Sequence, residues 1–138
     1  MGVLNKRTDV HRIMSLLRGG ETVGFLLDQN TVESDAVFVD FFGQKAATHK
    51  GPAVLALRTG AAVIPVFAIR EQSHHRIVIE KPLPLVRTSS NANDIYQATA
   101  LFTKTIESVV ARFPEQWLWA HRRWKTQPTP DKQIETDG

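Results

Sequence analysis

The first apolar residues of this chain recur with helical spacing. A helix is predicted from Thr8 or Asp9 to Arg18, and Gly19-Gly20 after it favours a stop, because glycine accepts the left-handed backbone conformation. The apolar face of this helix is formed by Val10, Ile13, Met14 and Leu17. The amphipathic helix leads directly into an apolar run.

Two nearly continuous apolar runs follow, and both predict strands that are buried on two faces. The first runs from Thr22 to Leu27 and stops at the polar residues Asp28 and Gln29. The second runs from Ala62 to Ile69 and contains Pro65, which cannot donate to a ladder, so this strand should lie at an edge or break there. In open α/β sheets ligands bind beyond the carboxyl ends of strands. Asp28 and Gln29 are therefore the first candidate site residues.

The rest of the pattern predicts helices, a hairpin and one short strand. Gly51-Pro52 starts a short helix that continues through Ala53–Thr59, and Asn91–Arg112 is a long amphipathic helix. Arg76–Glu80 should pair antiparallel with the second buried run, and the loop between the two runs contains a short alternating stretch at Val37–Phe42. Together these elements predict an α/β fold with a mixed, largely parallel sheet flanked by helices.

The composition of the chain limits the partners and the kinds of site that it can have. The 138 residues fit one domain, and the formal net charge of +3 with a pI near 9.5 favours an acidic partner, whether nucleic acid, an anionic membrane surface or an acidic carrier protein. Without cysteine, disulfides, thiolate metal sites and cysteine catalysis are excluded. The adjacent His74 and His75 diverge on a strand, so we predict neither a metal nor a cofactor. No apolar run reaches the length of a membrane span.

Two aromatic groups each allow two interpretations. Phe38, Phe41 and Phe42 either pack in the core or line a groove for an acyl chain or a membrane. The segment Pro114–Lys125 contains all three tryptophans and several cationic side chains. Its tryptophans either pack against the sheet, or act with the arginines on bases, phosphates or a membrane interface.

These pieces together resemble the late lipid A acyltransferases, the lauroyl and myristoyl transferases of lipopolysaccharide assembly. Four motifs carry the resemblance: Asp28-Gln29 after an apolar run, Phe41-Phe42-Gly43, the stretch Thr48–Pro65, and the tryptophan- and arginine-rich segment from Pro114 to Lys125. The resemblance implies a fold like the C-terminal half of the glycerolipid acyltransferases. It also implies transfer of a fatty acyl group from acyl carrier protein to a hydroxyl of a lipid A precursor, at the cytoplasmic face of the bacterial inner membrane.

The resemblance also assigns site residues. Asp28 and Gln29 would position the sugar or support a catalytic pair, and Lys50 would lie close to the phosphate of the acceptor. The phosphate candidates on other motifs are Arg58, His121, Arg122 and Arg123, and the remaining members of the predicted site are Phe41, Phe42 and Gly43.

The family's catalytic histidine is not expected in this chain. In the family a histidine acts as general base, followed five positions later by the acidic residue that orients it. Only His75 and Glu80 have this spacing, and on a strand they point to opposite faces. We therefore expect residues 1–125 to be a partial acyltransferase domain that lacks this pair and the N-terminal membrane anchor, and that is inactive alone. Residues 126–138 are expected to be a disordered tail.

Two other classes of function stay open at this point. One is a basic nucleic-acid-binding module that uses Trp117–Lys125, which would expose its tryptophans and bind in a salt-dependent manner. The other is an interaction domain without chemistry, for which Asp28 would be dispensable. No helix-turn-helix, zinc or RNA-recognition signature is present in the sequence, so no nucleic-acid partner is expected.

Overall fold

The computed structural model describes residues 9–129. Within them, the helices and strands are α1 (Val10–Arg18), β1 (Ala36–Phe41), β2 (Gln44–His49), α2 (Gly51–Thr59), β3 (Val66–Glu71), β4 (His74–Ile79) and α3 (Asn91–Arg112), with short 3-10 turns at Glu33–Asp35 and Pro114–Gln116. All three predicted helices are confirmed. None of these helices is long and apolar enough to cross a bilayer.

The prediction of a largely parallel sheet is wrong. The described strands form two separate antiparallel pairs, β1 with β2 and β3 with β4. The apolar run Thr22–Leu27 forms no strand, and the second run becomes a strand only at Val66, directly after Pro65. An apolar run indicates burial, whereas a parallel ladder also needs a partner strand that these two runs do not supply to each other. The α/β class is compatible with the observed fold.

The β1–β2 hairpin turns at Phe42 and Gly43. Phe41 pairs with Gln44, and the two turn residues have φ angles of 52° and 76°, as a two-residue type I′ turn requires. A positive φ is unfavourable for phenylalanine. The turn is held by the N–H of Phe42, which donates to Oε2 of Glu107 on α3 at 2.7 Å. The hairpin is thereby fastened to the long helix.

Glu107 makes this contact dependent on pH. Burial alone raises the pKa of Glu107, but hydrogen bonds from Lys104 and from the Phe42 N–H, with the Lys104 charge, outweigh it and hold the pKa below its ordinary value of 4.5. A lowered folded-state pKa contributes stability above the unfolded-state pKa and loses it as the pH falls through the folded-state pKa. We expect Glu107→Gln to flatten the fall in stability between about pH 5 and pH 3. Urea unfolding across that range measures this, with the exposed Glu21→Gln as control. An unchanged profile in the Glu107 variant would contradict the assignment.

The second hairpin continues backward beyond β3. The N–H of Glu80 donates to the carbonyl of Pro65, and the N–H of Leu83 donates to the carbonyl of Val63, each at 2.9 Å. The predicted antiparallel partner at residues 76–80 is therefore confirmed. A core between α2 and α3 packs against this extension through Ala53, Leu57, Ala98 and Phe102, with Leu27 and Val63 on its margin.

Polar caps fix the start of α3. The side chain of Ser90 accepts the N–H of Asn93, as expected of an N-cap residue. Asp94 is buried and accepts both the N–H and the hydroxyl of Thr88, each at 2.7 Å. These bonds connect α3 to the segment that follows β4.

Candidate functional site

Arg123 lies at the centre of the predicted site and is 2% exposed. Its Nη1 donates to the carbonyl of Ala47 at 2.9 Å and its Nη2 donates to Oγ1 of Thr48 at 2.5 Å, both on β2. Its guanidinium carbon lies 5.4 Å from the ring centre of Phe41. Burial lowers the pKa of Arg123 below its ordinary value, and the negative charge of Asp28 acts in the opposite direction. Arg123 therefore links the C-terminal segment to β2 by hydrogen bonds, whereas Asp28 acts on it only through its charge.

His121 fastens the loop that follows Asp28 and Gln29. The N–H of Asn30 donates to Nε2 of His121 at 2.9 Å. The Asn30 side chain also exchanges two hydrogen bonds with Thr126, through the threonine hydroxyl at 3.0 Å and its N–H at 3.2 Å. The first residues of the predicted tail are thus hydrogen-bonded to the body, and residues 130–138 lie outside the described residues.

Asp28 and Gln29 occupy different positions at this loop. Both residues are exposed, but only Asp28 lies on the wall of an apolar cavity of about 660 Å³, which Gln29 does not line. The cavity walls come from residues 22–28, residues 61–69, α2, α3 and Trp117. A carboxylate at the edge of an apolar cavity is suited to hold a hydroxyl or an imidazole next to an apolar group.

The aromatic motif divides between core and surface. Phe41 is 1% exposed and packs with Trp117 and Trp124, whose ring centres lie 5.7 and 5.6 Å away. Core packing is thus the role that the structure gives Phe41. Phe42 is 40% exposed and forms the hairpin turn with Gly43, so that any substrate contact of this turn would be at the surface.

The two half-buried tryptophans disfavour the nucleic-acid interpretation, which needed exposed rings. Trp117 and Trp124 pack on Phe41, and only Trp119, at 54% exposure, is open to solvent. Its Nε1 donates to the carbonyl of Pro114 at 2.7 Å. The interpretation that these tryptophans pack against the fold therefore describes this segment better.

The remaining cationic candidates are spread out. Nζ of Lys50 donates to the carbonyl of Ser34 at 3.0 Å, just before α2. Arg58 is exposed in the last turn of α2, and Arg122 is exposed beside Arg123. The structure joins Asp28, Phe41, His121 and Arg123 into one neighbourhood, whereas Arg58 makes no contact with it among the described residues.

Sequence reasoning missed the contributions of Asn30 and Thr48. Asn30 anchors the loop to both His121 and Thr126, and Thr48 is a fully buried hydroxyl that accepts from Arg123. The available signal for Thr48 was a polar residue directly after two small apolar ones in a strand. Buried polar side chains need partners, which makes such a position a sign of a nearby donor. Among residues 9–129 no cluster of side chains suited to a metal ion is found.

Comparison with known proteins identifies the family. The model of the bacterial lipid A biosynthesis acyltransferases matches residues 1–126. The chain belongs to this family. The resemblance that the four motifs suggested is therefore confirmed.

Individual acyltransferases of this family match most of the chain. It is 34% identical over 131 residues to the lipid A biosynthesis palmitoleoyltransferase of Escherichia coli K12, covering 93% of this chain and 41% of that protein. It is 30% identical over 125 residues to the lipid A biosynthesis lauroyltransferase of the same organism, covering 88% of this chain and 40% of that protein. A phosphatidylinositol mannoside acyltransferase of Mycolicibacterium smegmatis is 29% identical over 99 residues, covering 72% of this chain and 31% of that protein. The chain thus spans about two fifths of the length of the two Escherichia coli proteins.

Proposed function

We propose that this chain is the C-terminal portion of an acyltransferase that moves a fatty acyl group from acyl carrier protein to a hydroxyl of a lipid A precursor. The observation that carries the proposal is the position of Asp28, on the wall of the apolar cavity and within the electrostatic influence of the buried Arg123. Residues from all four motifs of the resemblance lie around this pair, because Arg123 also contacts Phe41 and Thr48. The similarity to a palmitoleoyltransferase and a lauroyltransferase of lipid A biosynthesis supports acyl transfer in that process.

Asp28 acts in this proposal by orienting a partner. Transfer requires that a base remove the proton from the attacking hydroxyl while that hydroxyl is held close to the acyl carbon. A carboxylate at the cavity edge holds either a sugar hydroxyl or the imidazole of a base supplied by another part of the protein. Gln29, adjacent and exposed, contributes amide hydrogen bonds to the sugar.

The cationic side chains have two roles in this proposal, phosphate binding and positioning. The exposed Arg58 and Arg122 are available for lipid A phosphates, with Lys50 near the start of α2. Arg123 and His121 act by positioning, because their described bonds go to β2 and to Asn30. The basic surface favours acyl carrier protein and anionic lipid headgroups, consistent with work at the cytoplasmic face of the inner membrane.

The isolated chain is proposed to be inactive because it lacks the histidine and acidic pair. His75 lies exposed on β4, whereas Glu80 follows that strand and lies 4.0 Å from Arg112, measured between Oε1 and Nη2. This arrangement gives no support to cooperation between the two side chains. The base would then come from the portion of the longer relatives that this chain does not match.

A chimera tests the proposal. The matched part of the Escherichia coli palmitoleoyltransferase is replaced by this chain, and transfer from acylated carrier protein to a lipid A precursor is measured. We expect no transfer by the isolated chain, transfer by the chimera, and a rate at least about tenfold lower with Asp28→Asn, because the amide loses the charge that orients its partner. The matched control is the exposed Glu21→Gln, which should retain full activity. Transfer by the isolated chain, or an unimpaired Asp28→Asn chimera, would count against the proposal.

A further inference from the structure

Strand β3 has one edge that is hydrogen-bonded to β4 and one edge that, among residues 9–129, is covered only at its end. At that end, the N–H of Arg70 donates to Oε1 of Gln116 at 2.8 Å, and Nε2 of Gln116 donates to the carbonyl of Arg70 at 3.1 Å. Both backbone groups of one strand residue point to the same edge, and those of the next residue point to the opposite edge. The even-numbered residues of this strand therefore face away from β4.

The preceding residues follow the same alternation. The carbonyls of Val63 and Pro65 accept from the segment after β4, which places odd-numbered residues on the paired edge. Ile64, Val66 and Ala68 consequently direct their backbone groups to the other edge. Among the described residues, no backbone group pairs with them there. An open edge of this kind is the usual site at which another strand adds.

Within residues 9–129, the segment on the other side of the cavity also has no backbone hydrogen-bond partner. Between residues 22 and 29 no hydrogen bond to the rest of the described chain is found. Leu26 is 94% exposed and Phe25 is 41% exposed, while Ile64 and Val66 are 49% and 57% exposed. The cavity is therefore bounded by two stretches that combine exposed apolar side chains with backbone groups for which the described part of the chain offers no partner.

We propose that the cavity receives an extended, apolar polypeptide strand that pairs with the open edge of β3 along Ile64–Ala68. The chain covers only 41% of the Escherichia coli palmitoleoyltransferase, and we assign the added strand to the portion of such longer relatives that this chain does not match. The residues of this chain outside 9–129 are mostly polar or charged, unlike the walls of the cavity. The cavity is thus a place where the acyltransferase fold is completed, which goes beyond the proposed transfer chemistry.

Backbone chemistry favours a polypeptide over a fatty acyl chain as the occupant. An acyl chain covers apolar side chains but offers neither donors nor acceptors, so the N–H and C=O groups of Val66 and Ala68 would lose water without gaining a partner. Each such group is destabilising when it is left unpaired away from water. An added strand satisfies these groups and covers the apolar side chains at the same time.

Amide hydrogen exchange tests the proposal without reference to acyl transfer. The full chain is co-expressed with the unmatched part of the Escherichia coli palmitoleoyltransferase, and the complex is isolated through a tag on that part. We expect exchange at the amides of Ile64, Val66 and Ala68 to slow at least about tenfold in the complex. The amides of Phe67 and Ile69 face β4 and should be protected in both states.

A proline variant supplies the matched comparison. Ala68→Pro removes an N–H from the open edge while leaving the β3–β4 ladder intact, a position where proline is tolerated. It should weaken the complex at least about tenfold while urea unfolding of the free chain is unchanged, and Ala68→Thr, which keeps the N–H, should bind as the parent does. If Ala68→Pro fails to fold, the exchange pattern of the parent chain decides alone.

Four results would overturn the proposal. They are the absence of a complex, unimpaired binding by a folded Ala68→Pro variant, equal protection of the three amides by laurate or dodecyl maltoside alone, and protection that rises with the concentration of the chain by itself. The last two would assign the cavity to a lipid or to a second copy. None of these results depends on whether the chimera transfers acyl groups.

Discussion

Replacing Arg123 with methionine is expected to lower the free energy of unfolding by about 3 kcal/mol, because two buried oxygens on β2 lose a charged donor. The carbonyl of Ala47 loses the donor that Arg123 provides, whereas the Thr48 hydroxyl keeps its bond to the carbonyl of Ala46 at 3.2 Å. Methionine retains an unbranched apolar stem of similar length, so that lost packing contributes little. Urea unfolding measures the loss.

The neighbouring arginine provides the control for this experiment. Arg122 is exposed, and Arg122→Met removes the same charge from the same segment, so its effect should be within about 0.5 kcal/mol. Arg123→Lys should be intermediate, because lysine keeps the charge near Asp28 but lacks the planar fork that reaches both oxygens. Equal losses for Arg122→Met and Arg123→Met would show that the loss comes from net charge and not from the contacts of Arg123.

The helices were predictable because their signals are local. The apolar period of α3, the capping residue Ser90 and the terminating Pro114 lie within one stretch of sequence, and the observed bounds Asn91–Arg112 agree with the prediction. The β3–β4 hairpin was also predictable, since a polar turn separates two adjacent runs. The sheet order was not, because Thr22–Leu27 carries the composition of a buried strand whereas its pairing depends on what lies beside it.

The candidate site was predictable in part. The end of an apolar run predicted Asp28 as a site residue, and Asp28 lines the cavity. No pattern in the sequence indicated that Arg123 would be buried on the edge of β2, or that His121 would accept a backbone N–H. An arginine or a histidine can bind either a phosphate or a backbone group. Whether its side chain is buried or exposed decides between these two roles, and residue type alone does not reveal that burial.

The C-terminal segment has a structural role, because its side chains hydrogen-bond to backbone groups at the edges of two strands. Gln116 pairs with both backbone groups of Arg70 at the outer edge of β3, and Arg123 donates to the carbonyl of Ala47 on β2. One short segment thus supplies side chains to both antiparallel sheets. Side-chain coverage is one way in which proteins block unwanted pairing at an edge. The uncovered stretch that ends at Ala68 is then the part of β3 left for another strand.

Replacing Phe41 with alanine is expected to lower the free energy of unfolding by about 3–5 kcal/mol, because a fully buried ring leaves a cavity that its neighbours fill only partly. The ring joins Trp117, Trp124 and the Arg123 guanidinium, so that its removal loosens the C-terminal segment as well as the hairpin. A loss of this size is a large fraction of the stability of a typical domain. Thermal unfolding, followed by tryptophan fluorescence, reports both effects.

Two substitutions beside Phe41 separate lost packing from lost aromatic character. Phe42→Asn places a residue that favours positive φ at the hairpin turn, and we expect its stability to change by less than about 1 kcal/mol. Trp124→Phe should also cost little, since the buried indole N–H has no hydrogen-bond partner among the described residues. If Phe41→Ala destabilises the chain no more than these two variants, then the core between β1, α3 and the C-terminal segment does not depend on this ring.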